Sequence, residues 1–219
     1  MNENLIVEME KKGAVTVTFR KLEPSKKEAI YQAALKEFSS DVFDRVSLDT
    51  LAAEAGVSKG SLFQYFGNKE HLLEFVAEIS LDNYRQYWEE YFAREHAVRA
   101  RDRVSRYFLA CLEYWVRERI EYRFHMKMEY ENPLAVAGGF REKVARLRQE
   151  YISAIIERGR ATGEIRGDME IDTVSFLIHA ALRNLEQSYA TILQTPKTKI
   201  DLKGFSERIG ALIFDGVAG

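Results

Sequence analysis

The run Ser47–Leu73, SLDTLAAEAGVSKGSLFQYFGNKEHLL, constrains this chain more than any other stretch. Its spacing predicts two short helices joined by a glycine turn, with a third helix starting directly afterwards. Ser47 stands where its hydroxyl can cap the first helix. Leu48, Leu51, Ala52 and Ala55 then recur on one helical face. Gly56 follows where a helix ends in left-handed backbone, Val57 plugs the turn, and Ser58 can cap the second helix. There Leu62 and Phe66 lie one turn apart and point inward. Lys59, Ser61, Gln64 and Tyr65 are left on the outer faces. Two helices crossing over a short glycine turn form a helix-turn-helix, whose second helix enters the DNA major groove.

The segment closely resembles the DNA-binding domain of TetR-family transcriptional regulators. Ala52, Ala55, Gly56, Val57, Ser58, Gly60, Leu62, Tyr65, Phe66, Lys69, Glu70, Leu72 and Leu73 fit that family's signature in register. Phe63 departs from it, standing where the family usually has Tyr, so a hydroxyl that often reaches a phosphate is absent. A thymine methyl is the contact left to Phe63.

The resemblance implies a role for each matching position. Lys59 would donate to guanine O6/N7 and Gln64 would pair with adenine. Gly60 would let the backbone come close, and Ser61 would serve a base or a phosphate. Ser47 and Tyr65 would hold phosphates through their hydroxyls. Lys69 would join the free N–H groups of the helix starting at Asn68 as an anion site. With Ser58 and Phe63, these make up the expected DNA face.

Charge alone would not have suggested DNA. The 219 residues carry a net charge of −2, which argues against a non-specific nucleic-acid coat. Residues 11–70 hold ten Lys/Arg against eight Asp/Glu, so a DNA face must depend on placement. Three prolines and few β-branched runs favour an all-helical chain. Cys111 is the sole cysteine, which excludes an intrachain disulfide and points to a reducing compartment. No apolar run has the length of a membrane span, and the N-terminus lacks a signal-peptide core, so a cytoplasmic protein without membrane contact is expected.

Three segments are expected: an N-terminal arm over 1–23, a three-helix DNA-binding domain over 24–70, and a helical effector-binding and dimerisation domain over 71–219. The arm contains Ala14-Val15-Thr16-Val17-Thr18-Phe19, which is strand-like in composition. It reads as a loosely docked terminus, a basic arm touching DNA, or an edge strand pairing with another chain. Ser25 and Glu28 have capping-box spacing, and Ile30, Ala33, Ala34 and Phe38 make a helical stripe running to about Ser39. Further helices are expected at about 68–93, 99–119, 119–131, 140–162, 171–194 and 201–215. Asn132-Pro133 and Gly138-Gly139 break the chain between them, and Pro196 stops the penultimate helix. About nine helices result, the number the resemblance implies.

The central stretch is rich in aromatics and sulfur. Tyr107, Phe108, Cys111, Tyr114, Trp115, Phe124, Met126 and Met128 suit an apolar effector pocket, or simply a helical core. His125, His179 and Asn184 are candidate polar contacts. Near the C-terminus, Val174, Leu177, Ile178, Ala181, Leu182 and Leu185 form one apolar stripe, and Ile209, Leu212 and Ile213 another. Either stripe suits an intrachain core or an interface; the resemblance implies a four-helix homodimer interface. A dimer would bind a palindromic double-stranded operator, with recognition helices about 34–36 Å apart.

No complete catalytic constellation, metal-ligand set or phosphate loop is present, so neither an enzyme nor a cofactor is expected. His125 and Glu129 lie one helical turn apart, but two ligands do not make a metal site. The expected function is a dimeric repressor released from its operator by a small, largely apolar ligand. The alternative is a helix-turn-helix protein that anchors to DNA or activates under control of a protein partner.

Overall fold

The computed structural model describes residues 1–93, 99–193 and 201–217, and among them there is no strand. The helices are α1 Glu3–Lys12, α2 Val17–Arg20, α3 Pro24–Ser40, α4 Leu48–Glu54, α5 Lys59–Phe66, α6 Lys69–Ala93, α7 Ala100–Arg117, α8 Arg119–Met126, α9 Ala135–Ala161, α10 Ile171–Leu193 and α11 Leu202–Val217. A 3₁₀ turn spans Phe43–Arg45, and a π turn spans Lys127–Glu131. The all-α class read from composition is correct. The helix count rises from about nine to eleven because the N-terminal segment is folded.

That segment is neither a strand nor a loose arm. Asn2 caps α1 by accepting the Asn4 N–H at 3.1 Å, and Gly13 ends it in left-handed backbone at φ 81°. Thr16 then caps α2 by accepting the Phe19 N–H at 3.4 Å. Ile6, Met9 and Phe19 are buried, and Phe19 meets Phe66 and Phe75 with ring centroids 4.9 Å apart in each case. Lys27 of α3 is itself buried and pairs with Glu3 at 2.9 Å, while Arg20 pairs with Glu10. The β-branched run misled because strand propensity reports packing surroundings more than backbone preference. Here a threonine cap and a buried phenylalanine decide the matter.

Two other local readings change. Ser25 and Glu28 make no capping box: Pro24 occupies the first helical position, where its fixed φ suits the helix and no N–H is missed. Gly138 and Gly139 lie inside α9 rather than before it. Each costs roughly 1 kcal/mol against Ala in a helix, but burial of Ala137 and Phe140 beside them favours the early start. The expected stop at Pro196 lies outside the described residues.

The chain divides into two compact units, residues 1–89 with 118–144, and 90–117 with 145–219. In the first, α3 packs against α4 and α8, and α2 against α5. In the second, α11 lies along α7 so closely that a Cβ on Gly210 would sit 1.9 Å from Ser105 Oγ. A buried Arg148–Glu186 pair at 2.8 Å joins α9 to α10 there. Among the described residues no helix is long and apolar enough to cross a membrane.

Candidate nucleic-acid interface

Helix α4 begins at a serine cap, with Ser47 Oγ accepting the Thr50 N–H at 3.2 Å. Leu51, Ala52 and Ala55 are buried, and Gly56 turns the chain at φ 64°. Lys26 of α3 donates to the Gly56 carbonyl at 2.6 Å, and Lys36 pairs with Glu54 at 2.6 Å, so α3 holds the C-terminal end of α4 and the turn after it. Helix α5 starts at Ser58, whose Oγ accepts the Ser61 N–H at 3.0 Å and lies 2.8 Å from Ser61 Oγ. Leu62 and Phe66 are its buried base.

Lys59, Gly60, Phe63 and Gln64 face solvent on α5. Lys59 pairs with Asp49 at 2.8 Å across the two helices, both side chains exposed. Such a surface pair is worth only about 0–1 kcal/mol, so little ties Lys59 to the fold. Gly60 carries a separate clue. The nearest atom to a Cβ built there is Ser58 Oγ at 3.7 Å, an ordinary contact. Nothing within the chain asks for glycine at this helical position, although glycine costs roughly 0.5–1 kcal/mol against alanine there. Phe63, 45% exposed, is likewise spent on no core.

Tyr65 corrects the sequence reading. It does not stand on an outer face: it is 9% exposed, and its ring packs 6.0 Å from that of Phe19. Helix α2 covers this side of α5, and α2 was the element the sequence pattern hid. The same element grips the end of α5 by its backbone. Thr16 donates its N–H to the Tyr65 carbonyl at 2.9 Å and its hydroxyl to the Gln64 carbonyl at 2.9 Å. Thr16 and Phe19 are thus residues that position the outer face without belonging to it.

After α5 the chain turns at Gly67, and Asn68 caps α6 by accepting the His71 N–H at 2.8 Å. His71 Nδ1 lies 2.9 Å from the Phe66 carbonyl and closes the end of α5. Lys69 donates to the Asp44 carbonyl at 3.4 Å and lies 4.8 Å from the Phe43 ring centroid. Partial burial pulls its pKa below the usual lysine value, with Asp44 opposing.

In the same compact unit lies a polar cluster that no sequence pattern marks. Glu121 of α8 is buried and accepts from Tyr31 of α3, from Ser80 of α6, and from Asn83 Nδ2 at 3.1 Å. Ser80 Oγ is also 2.8 Å from His125 Nε2. Burial raises the Glu121 carboxyl above the usual range, while its hydrogen bonds oppose the shift. Burial and the neighbouring carboxylate push the Tyr31 hydroxyl well up. His125, read as a ligand contact, therefore serves this cluster.

The remaining ligand candidates are distributed. Phe124 and Met128 are buried in the first unit; Tyr107, Phe108, Cys111, Tyr114 and Trp115 are buried in the second. His179 is partly buried, with Nε2 2.9 Å from Gln149 Oε1, and burial and Arg148 lower its pKa. Asn184 is exposed. The two C-terminal stripes are each divided. Val174, Ile178, Leu182 and Ile213 are buried, Ala181, Leu185 and Ile209 are partly covered, and Leu177 and Leu212 are exposed. Phe176, not among the candidates, is 74% exposed.

A capped two-helix unit over a glycine turn, with a solvent-facing second helix, is a helix-turn-helix. Residues 30–76 match the model of "Bacterial regulatory proteins, tetR family". The chain is 27% identical over 144 residues, 64% of its length and 72% of the relative's, to the HTH-type transcriptional regulator YhgD of Bacillus subtilis strain 168. A TetR-family regulator from Chloroflexus aurantiacus has the same fold, with a TM-score of 0.69 and 17% identity over 94% of this chain and 99% of that one. So does the regulator FadR of Bacillus subtilis, solved with stearoyl-CoA, with a TM-score of 0.70 and 16% identity over 87% and 99%. Residues 30–76 thus match the DNA-binding domain of the TetR family, and the matches together support a TetR-family transcriptional regulator.

Proposed function

We propose that this regulator is a dimeric repressor that reads a palindromic operator with the outer face of α5 and is released by a small, largely apolar ligand. Gly60 carries the DNA contact: a helical glycine with open space around it serves a surface that must come close to the chain from outside. Lys59 and Gln64 flank it as base readers, Phe63 offers an apolar contact to thymine, and Ser47, Ser61 and Lys69 serve phosphates. Ser58 contributes as the cap that orients α5. Tyr65 packs its ring against Phe19 and offers its hydroxyl to a phosphate.

Dimerisation through α10 and α11 is supported by Phe176 and Leu212, each 74% exposed, with Leu177 at 45%. Large apolar side chains left in water on two helices of one unit suit an isologous interface. The ligand reading is supported by the FadR structure, which holds stearoyl-CoA. Selection from random duplexes tests the whole reading. An inverted repeat bound by a dimer is expected, with Leu212→Glu yielding monomers that bind weakly. Recovery of a single asymmetric site by a monomeric wild-type chain would contradict it.

A further inference from the structure

A pocket of about 230 Å³ opens beside the reading head, wholly within the first unit. Phe38, Phe43 and Phe124 give it an aromatic lining, with Leu73 and Met128 completing the apolar wall. Phe38 and Phe43 stack with centroids 6.2 Å apart and planes 10° from parallel. One wall is the π turn, a wide backbone turn that is frequent at functional sites. Arg141 braces that turn by donating to the Met128 carbonyl at 3.2 Å and the Asn132 carbonyl at 3.1 Å.

The charge around the pocket is one-sided. Asp41, Asp44 and Glu131 line it, against Lys127 alone. Lys127 is engaged with Glu131 at 3.6 Å. The nearby Lys69 is engaged with the Asp44 carbonyl and the Phe43 ring. Asp41 accepts the Val42 N–H at 2.9 Å and has no cationic partner among the described residues. An aromatic wall with a surplus carboxylate suits an organic ammonium ion. The Lys69–Phe43 contact shows that one of these rings already takes an ammonium.

We propose that this pocket binds a small aromatic ammonium compound, and that its occupancy is coupled to DNA binding. The coupling has a short path. Asp41 to Asp44 line one side of the pocket, and after two more residues the chain reaches Ser47, the cap of α4. A ligand that binds differently in the DNA-competent and DNA-incompetent arrangements shifts operator affinity, and operator shifts ligand affinity by the same factor. Binding itself does not rest on the repressor reading; only the coupling does.

The test uses the full chain and three probes sharing one ring: 1-naphthylmethylammonium, 1-naphthalenemethanol and 1-naphthylacetate. Calorimetry is expected to show the ammonium binding roughly tenfold or more tightly than the alcohol, and the carboxylate not at all. Asp41→Asn keeps the bond to the Val42 N–H and is expected to abolish the preference for ammonium over alcohol. Val42→Trp, at an exposed position on the pocket lining, is expected to block the ammonium and the alcohol alike. Equal affinity for the three probes, no binding, or binding indifferent to both variants would overturn the site. Operator affinity is then measured with and without the ammonium. A shift that Val42→Trp removes supports the coupling, and an unchanged affinity overturns the coupling alone. If the ligand-free protein selects no operator, the DNA reading fails independently of the pocket.

Discussion

The outer face of α5 and the cluster around Glu121 lie in the same compact unit and obey opposite rules. On α5, Lys59, Gly60, Phe63 and Gln64 project into solvent and do little for the fold. Around Glu121, Tyr31, Ser80, Asn83 and His125 are drawn from three helices and commit their polar atoms to one another. The first surface is left free of the fold; the second ties together helices that a loose apolar packing would not orient. Substitutions should therefore separate the two cleanly, the α5 face altering binding without loss of stability, and the cluster losing stability first.

The largest effect is expected at Glu121→Ala. Removing the carboxylate strands buried donors from Tyr31 and Ser80, each worth about 1–3 kcal/mol, so chemical denaturation should register a loss of roughly 3 kcal/mol. Glu121→Gln keeps an acceptor and sharpens the same contrast through pH. Burial raises the folded-state carboxyl pKa above its ordinary 4.5, so the folded protein binds more protons than the unfolded chain within that window. The stabilising effect of the protonated form is complete below the ordinary value and is lost as pH rises through the folded value. Wild-type stability measured relative to Glu121→Gln should fall across that interval and level off above it. A flat difference would break the account of the cluster.

On the α5 side the effects are smaller and belong to DNA. Lys69→Ala should weaken binding to all sequences alike and lower the salt slope by roughly one counterion. A base-specific change would move Lys69 from phosphate holder to reader. Smallest, and most diagnostic of the contrast, is Gly60→Ala. Thermal unfolding should report a gain of about 0.5–1 kcal/mol, while operator affinity declines because the added methyl stands between helix and groove. A stabilised variant with undiminished affinity would show that nothing comes close to that position.

The two regions also differ in how far they could be read from sequence. The α4–α5 unit is built from local signals: serine caps, a left-handed glycine, and apolar residues one turn apart, all within about thirty residues. Their physics is short-range, and the pattern carries it. The Glu121 cluster joins positions 31, 80, 83, 121 and 125. No periodicity distinguishes Glu121 from the exposed carboxylates around it, because its burial depends on how α3, α6 and α8 meet. The N-terminus was lost for a related reason. Val15 and Val17 resemble a strand until Phe19 is seen packed against both Phe66 and Phe75. That tertiary contact also carried Tyr65 from the expected outer face into the interior. The C-terminal stripes were legible as apolar faces, but which residues stay in water, Phe176 above all, depends on the packing of α10 and α11 within their unit.

The central claim is that α5 reads sequence with side chains the fold does not need. The most direct measurement is the affinity of wild type and Gln64→Ala for an operator and each of its single-base variants, with thermal unfolding of both proteins alongside. Gln64→Ala should lose about 1–3 kcal/mol of discrimination at one or two symmetry-related base pairs and leave the unfolding midpoint unchanged. An unaltered base-preference profile would contradict the claim.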